Sequence, residues 1–126
     1  MLKGIGIDSV SVSDMQALIS RVPSGTLERM FTKVEIRNSF AQNSRAEYLA
    51  TRFAVKEAAF KAIAHHTKNQ TFDFRIVETL NYEDGCPYIC PGEELGKVMK
   101  EAGVTDLRVS ITTEADTATA IVMAQA

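Results

Sequence analysis

A chain of 126 residues, 45% of them apolar and with a formal net charge of −2, has the length of one domain (1–126) and the material for a core. It holds no run of 18 or more apolar residues, which argues against a membrane span. The start lacks the features of a secretory leader, so a cytoplasmic location is expected.

Leu2 to Ile7 reads as a short strand, and Gly4 and Gly6 within it point to a bulge or to a close backbone approach. Asp8 follows at the end of that strand, where side chains often reach a site. Ser11 or Ser13 can cap a helix in which Met15, Leu18 and Ile19 share a face, and Pro23-Ser24-Gly25 ends it. Leu27, Met30 and Phe31 form a short amphipathic turn. Thr32 with Glu35 and Ser44 with Glu47 are capping boxes, opening helices over about 33–42 and 45–64. Phe72, Phe74, Ile76 and Val77 mark a strand through about 80. Glu83-Asp84-Gly85 is a turn into a second strand over Pro87 to Cys90, placed at an edge or a strand start by Pro87. Glu93 to Ala102 is a helix stopped by Gly103. Leu107, Val109 and Ile111 alternate with polar residues, Glu114-Ala115-Asp116 turns the chain, and Thr117 to Ala124 alternates again. The order predicts an α+β fold, with helices packed on a mainly antiparallel sheet. Cys86 and Cys90 match no metal spacing and are expected as reduced thiols.

The densest chemistry lies in the long helix, in the block Arg52 to Ala58 with Lys61 one turn beyond. Charged Arg52, Lys56, Glu57 and Lys61 stand among Phe53, Val55, Ala58, Ala59 and Phe60, which is unlike a solvated face. Glu57 and Lys61 are four apart and share a face. A carboxylate beside a lysine can hold a hard cation and a phosphate oxygen together. Asp8 is a second cation ligand on this reading; the plain alternative is a turn or helix-start acid. For Glu57 the plain alternative is an ion pair with Lys61 or Lys56, and for Lys61 a lysine snorkelling at a helix edge. His65 and His66 complement the helix end better than they serve catalysis. Ser110 and Thr112 can bond a ligand or be ordinary strand residues. No phosphate-binding glycine loop of the nucleotide-binding types occurs.

Charge is unevenly spread. Residues 21–61 carry eight basic and four acidic side chains, and residues 62–126 five basic and ten acidic. The positive half suits an anionic partner, while its interleaved acids and lack of aromatic interleaving argue against nucleic acid.

These motifs resemble one family over nearly the whole length. G-I-G-I-D (Gly4 to Asp8), F-T-K-V-E (Phe31 to Glu35) and R-F-A-V-K-E-A-A-F-K-A (Arg52 to Ala62) are similar to blocks of the small stand-alone holo-[acyl-carrier-protein] synthases, a group of 4′-phosphopantetheinyl transferases. G-C-P-Y-I (Gly85 to Ile89) resembles the G-K-P segment of that family, with Cys86 in place of its lysine. R-V-S-I-T-T-E (Arg108 to Glu114) and T-A-T-A-I-V (Thr117 to Val122) resemble its terminal hairpin. Asp14 stands where the family often has arginine, and 64–67 replaces a glycine-containing stretch.

The resemblance implies transfer of phosphopantetheine from coenzyme A to a serine of an acyl carrier protein, releasing adenosine 3′,5′-bisphosphate. It implies Asp8 and Glu57 as Mg²⁺ ligands, and Glu57 and Lys61 as catalytic residues. Contacts to coenzyme A fall to Arg52, Lys56, Lys61, Gly85, Pro87, Ser110 and Thr112. The general base stays open between Glu57 and a metal-bound water. An acidic carrier protein is expected to meet Arg21, Arg29, Lys33 and Arg37. A homotrimer with sites shared between neighbours is implied as well. The alternative is a non-catalytic carrier-protein-binding module of the same fold that has lost productive coenzyme A binding.

Overall fold

The computed structural model describes residues 1–126. The elements in order are β1 (Leu2–Ser11), α1 (Val12–Arg21), α2 (Ser24–Leu27), α3 (Lys33–Ser39), α4 (Arg45–Ile63), β2 (Glu78–Asn81), β3 (Pro87–Cys90), α5 (Glu93–Ala102), β4 (Asp106–Glu114) and β5 (Thr117–Gln125). An antiparallel sheet of order β1-β5-β4 carries the long helix α4 on one face, and β2 and β3 form a separate hairpin. This is the α+β architecture that the chain order predicts.

Small residues let helix and sheet approach. Ala54, Ala58 and Ala62 on α4 meet Ala120, Val122 and Ala124 on β5, all fully buried in one core. The approach is closest at β1. A Cβ added to Gly4 would lie 2.0 Å from the carbonyl oxygen of Ala62, and one added to Gly6 would lie 1.9 Å from that of Ala58. Both readings of these glycines hold, because the β1–β5 register also shifts between Leu2 and Gly4. The contact also positions Asp8, the next residue on the inward side of β1, past Gly4 and Gly6. Gly6→Ala is expected to force β1 away from α4 and destabilise the chain by about 3 kcal/mol, the upper end for overpacking. Urea unfolding checks this, and an unchanged midpoint would show that β1 can shift freely.

Four sequence expectations need correction. Strand β1 runs on to Ser11, so Asp8 lies within it rather than at its end; pairing with β5 holds down to Ser11↔Thr117. Phe72 to Val77 is not strand: Phe74–Ile76 is a 3₁₀ turn, and β2 starts at Glu78. There Asp73 accepts the Arg75 backbone N–H at 2.8 Å, a local bond that competes with a ladder. Phe53, Phe60, Phe72 and Phe74 then pack edge to face or tilted against one another. Helix α3 stops at Ser39, short of the expected 42. Thr32 and Glu35 form a full capping box, whereas Ser44 accepts from the Glu47 N–H and Glu47 does not return the bond. Gly103 ends α5 at φ 73° as expected of a C-terminal glycine.

Candidate active site

Glycine-mediated packing of β1 on α4 places Asp8 beside the outer end of the helix. Lys61 Nζ lies 3.2 Å from Asp8 Oδ1 and donates to the Ile7 carbonyl at 3.0 Å. Glu57, one turn back on the same helix face, is half-buried. Burial first, and then the negative charge of Asp8, push its carboxyl above the usual range, and Lys61 offsets only part of this. The charge of Asp8 therefore reaches Glu57, although the two lie far apart in the chain.

The plain alternatives for Glu57 fail on geometry. Lys61 turns to Asp8, and Lys56 is 2.8 Å from Glu35. The Glu57 carboxylate is left without an ion-pair partner, next to a second carboxylate. Such a pair of hard oxygen donors fits Mg²⁺, which commonly takes one or two carboxylates and fills its remaining positions with water and phosphate oxygens. No group of three or more His, Cys, Asp or Glu side chains is placed to hold a metal. The donor set therefore does not resemble a closed structural zinc site.

The other expected ligand contacts fall elsewhere. Arg52 lies roughly 140° around α4 from Glu57, at 100° per residue, and so faces another way. It belongs with the hairpin: its guanidinium donates to Asn81 Oδ1, and Asn81 Nδ2 donates to the Gly85 carbonyl at 2.8 Å. Arg52 and Gly85, with Pro87 paired across the hairpin from Asn81, thus form one group. Arg52 is only 5% exposed, its Nε has no partner, and no carboxylate pairs with it. Its other contacts are the Thr51 hydroxyl at 3.1 Å and the face of Tyr48 at 4.0 Å. A buried, uncompensated guanidinium is costly unless an anion arrives.

Lys56 is a correction. It is wholly buried, held by Glu35, and donates to the Phe74 and Val77 carbonyls, so its ammonium is spent inside the protein and does not face a ligand. Burial lowers its pKa, and the Glu35 charge acts against that shift. Ser110 and Thr112 are exposed on the face of the sheet opposite Asp8, paired with Ile121 and Thr119. In a single chain they do not meet the carboxylates. Arg21, Arg29, Lys33 and Arg37 are all exposed, as a contact surface for an acidic partner requires. His66 Nε2 sits 2.8 Å from the Lys3 carbonyl and ties the end of α4 to β1. Cys86 and Cys90 are free, and burial and Glu78 push the Cys90 thiol up, away from reactivity.

Sequence reasoning missed Asn81 and the inward role of Glu35. The signal for Asn81 was its place four residues before Gly85 in a hairpin turn, where an Asn side chain reaches backbone. For Glu35 the capping box was visible, but its burial was not.

The chain is similar to known proteins over nearly its whole length. Residues 4–122 match the model of the 4′-phosphopantetheinyl transferase superfamily. A holo-[acyl-carrier-protein] synthase of Burkholderia ambifaria is 34% identical over 97% of this chain and 86% of its own length. One of Burkholderia multivorans is 35% identical over 97% of this chain and 86% of its own. The crystal structure of the Neisseria meningitidis holo-[acyl-carrier-protein] synthase superimposes with a TM-score of 0.85 at 29% identity, covering 100% of both chains. That of the Helicobacter pylori holo-[acyl-carrier-protein] synthase in complex with coenzyme A gives 0.77 at 26% identity, covering 96% of this chain and 99% of that one.

Proposed function

The chain belongs to the 4′-phosphopantetheinyl transferase superfamily, and on that premise we propose that it is a holo-[acyl-carrier-protein] synthase that moves 4′-phosphopantetheine from coenzyme A to a serine of an apo acyl carrier protein. The observation that carries this reading is the pairing of Asp8 with an otherwise unpartnered Glu57 beside Lys61. The serine hydroxyl gives its proton to Glu57 or to water as its oxygen forms a bond to the β-phosphorus, the bond from that phosphorus to the bridging oxygen breaks, and adenosine 3′,5′-bisphosphate leaves with that oxygen.

On this reading Asp8 and Glu57 hold Mg²⁺. Bound there, Mg²⁺ would supply charge neutralisation on the diphosphate and in-line orientation of the attacked phosphorus. Lys61, half exposed and held lightly by Asp8, swings to the transferring phosphate and stabilises charge that develops on its oxygens. Arg52, with its uncompensated charge, takes a phosphate of coenzyme A, and the Gly85–Pro87 turn shapes the wall beside it. The carrier protein docks on Arg21, Arg29, Lys33 and Arg37. Positioning and electrostatics supply most of the rate.

A homotrimer completes the reading. Arg52 and the hairpin lie apart from Asp8 and Glu57 in one chain, and a neighbouring subunit can bring the two sets together. Ile5 and Ile7, 55% and 58% exposed on the outer face of β1 beside Ile121 and Met123 of β5, supply an apolar surface for that contact. We place the chain in the cytoplasm as a single transferase domain; no helix is long and apolar enough to cross a membrane. A non-catalytic module, which Cys86 and the altered 64–67 segment would suit, is not favoured, because relatives named holo-[acyl-carrier-protein] synthase match the chain over nearly its whole length.

The test is direct. Incubated with coenzyme A, Mg²⁺ and apo acyl carrier protein, the protein should add one phosphopantetheine to the carrier by mass spectrometry. No mass gain on several apo carriers, the cognate one included, would overturn the reading.

A further inference from the structure

Arg52 is a charge that the fold buries without neutralising, and the side chain that holds it is an amide. Its guanidinium bonds Thr51 and Asn81 and stacks on Tyr48, all neutral, while Nε is buried with no partner. A guanidinium retained for stability alone is ordinarily given a carboxylate, because an unpaired buried charge is strongly unfavourable. Asn81 stands where such a carboxylate would stand. It also does what an aspartate cannot: its Nδ2 donates to the Gly85 carbonyl at 2.8 Å and so locks the hairpin turn to α4. Arg52 lines a polar cavity of about 240 Å³ with Gln42, Ser44, Tyr48 and Thr51. Glu47, the other charged residue on its wall, is exposed and makes no ion pair with Arg52.

We propose that Asn81 is a positioning residue for substrate binding: its neutral amide aims Arg52 and fixes the Gly85 turn while leaving the guanidinium charge free for a phosphate of coenzyme A. This rests on the reading of Arg52 given above. The neutrality of position 81 is the functional property, and it makes stability and affinity move in opposite directions. Asn81→Asp keeps a strong contact to Arg52 and neutralises it. Asn81→Ala loses both contacts and leaves the charge free.

The experiment is calorimetric titration of coenzyme A into the parent, Asn81→Asp, Asn81→Ala and Arg52→Met, with urea unfolding of each. Asn81→Asp is expected to weaken coenzyme A binding about tenfold and Asn81→Ala about threefold, while Asn81→Ala has the lower unfolding midpoint. A purely structural Asn81 gives the same order in both measurements. So if Asn81→Ala loses as much affinity as Asn81→Asp, or Asn81→Asp binds as the parent does, the proposal falls. If Arg52→Met binds coenzyme A as the parent does, the assignment of Arg52 falls first and the proposal falls with it. Repeating the titrations with dephospho-coenzyme A identifies the phosphate. A difference between parent and Asn81→Asp that disappears assigns Arg52 to the 3′-phosphate, one that persists assigns it to the diphosphate, and both keep the proposal.

Discussion

Glu57→Gln should lower kcat/KM for phosphopantetheine transfer by roughly 10³ while leaving the fold intact. The substitution keeps the shape of the side chain and removes one ligand charge. It also removes repulsion: burial and Asp8 already push the Glu57 carboxyl above the usual carboxylate range. A group whose pKa is raised on folding is favoured when protonated. Ionised Glu57 therefore destabilises the fold at neutral pH, an effect absent where the group is protonated in both folded and unfolded states. The neutral glutamine should accordingly unfold at the same or a higher urea concentration than the parent. Loss of activity together with maintained stability is the signature of a residue retained for its ligand. Calorimetry supplies a second readout, because Mg²⁺ should strengthen coenzyme A binding in the parent and fail to do so in Glu57→Gln. A variant that transfers at the parent rate would remove Glu57 from the site.

Lys56→Met is expected to act in the opposite way, through stability. Lys56 and Glu35 form an ion pair with both side chains fully buried. Glu35 also accepts the backbone N–H groups of Thr32 at 3.0 Å and Thr79 at 3.1 Å, so its carboxylate joins the start of α3 to strand β2. Lys56 donates to the carbonyls of Phe74 and Val77, joining α4 to the segment that enters the hairpin. Removing the ammonium leaves a buried carboxylate uncompensated, which destabilises by about 3–5 kcal/mol. Glu35→Gln combined with Lys56→Met removes both charges and keeps an acceptor for one of those backbone donors. The double variant should therefore regain a large part of the loss. Urea unfolding of the three variants checks this. If Lys56→Met unfolds within about 1 kcal/mol of the parent, the network is not stabilising in the way the burial implies.

How far the site could be read from sequence depended on how local its parts are. Glu57 and Lys61 share a helix, so their spacing alone put them on one face. The Thr32–Glu35 capping box, the Gly103 stop and the alternation in β4 and β5 were likewise local signals, and the structure carries all of them. The strand expected through Phe72 to Val77 failed because its aromatic residues pack as a cluster and Asp73 bonds Arg75 locally. Lys56 was misassigned for a related reason. Composition shows that a lysine sits among apolar residues, but not that an acid 21 residues earlier arrives to meet it.

Sequence by itself therefore determined the element order, the α+β class, the choice between bulge and close approach at Gly4 and Gly6, and the shared face of Glu57 and Lys61. Each of these follows from backbone sterics or from periodicity along a short stretch. Only tertiary structure decided which charges are spent in the core and which remain free. Lys56 is consumed by Glu35, Arg52 is kept uncompensated by the amide of Asn81, and Glu57 is left open because Lys61 turns to Asp8. A charge is neutralised by whatever lies within a few ångströms, and in a folded chain those neighbours come from distant parts of the sequence.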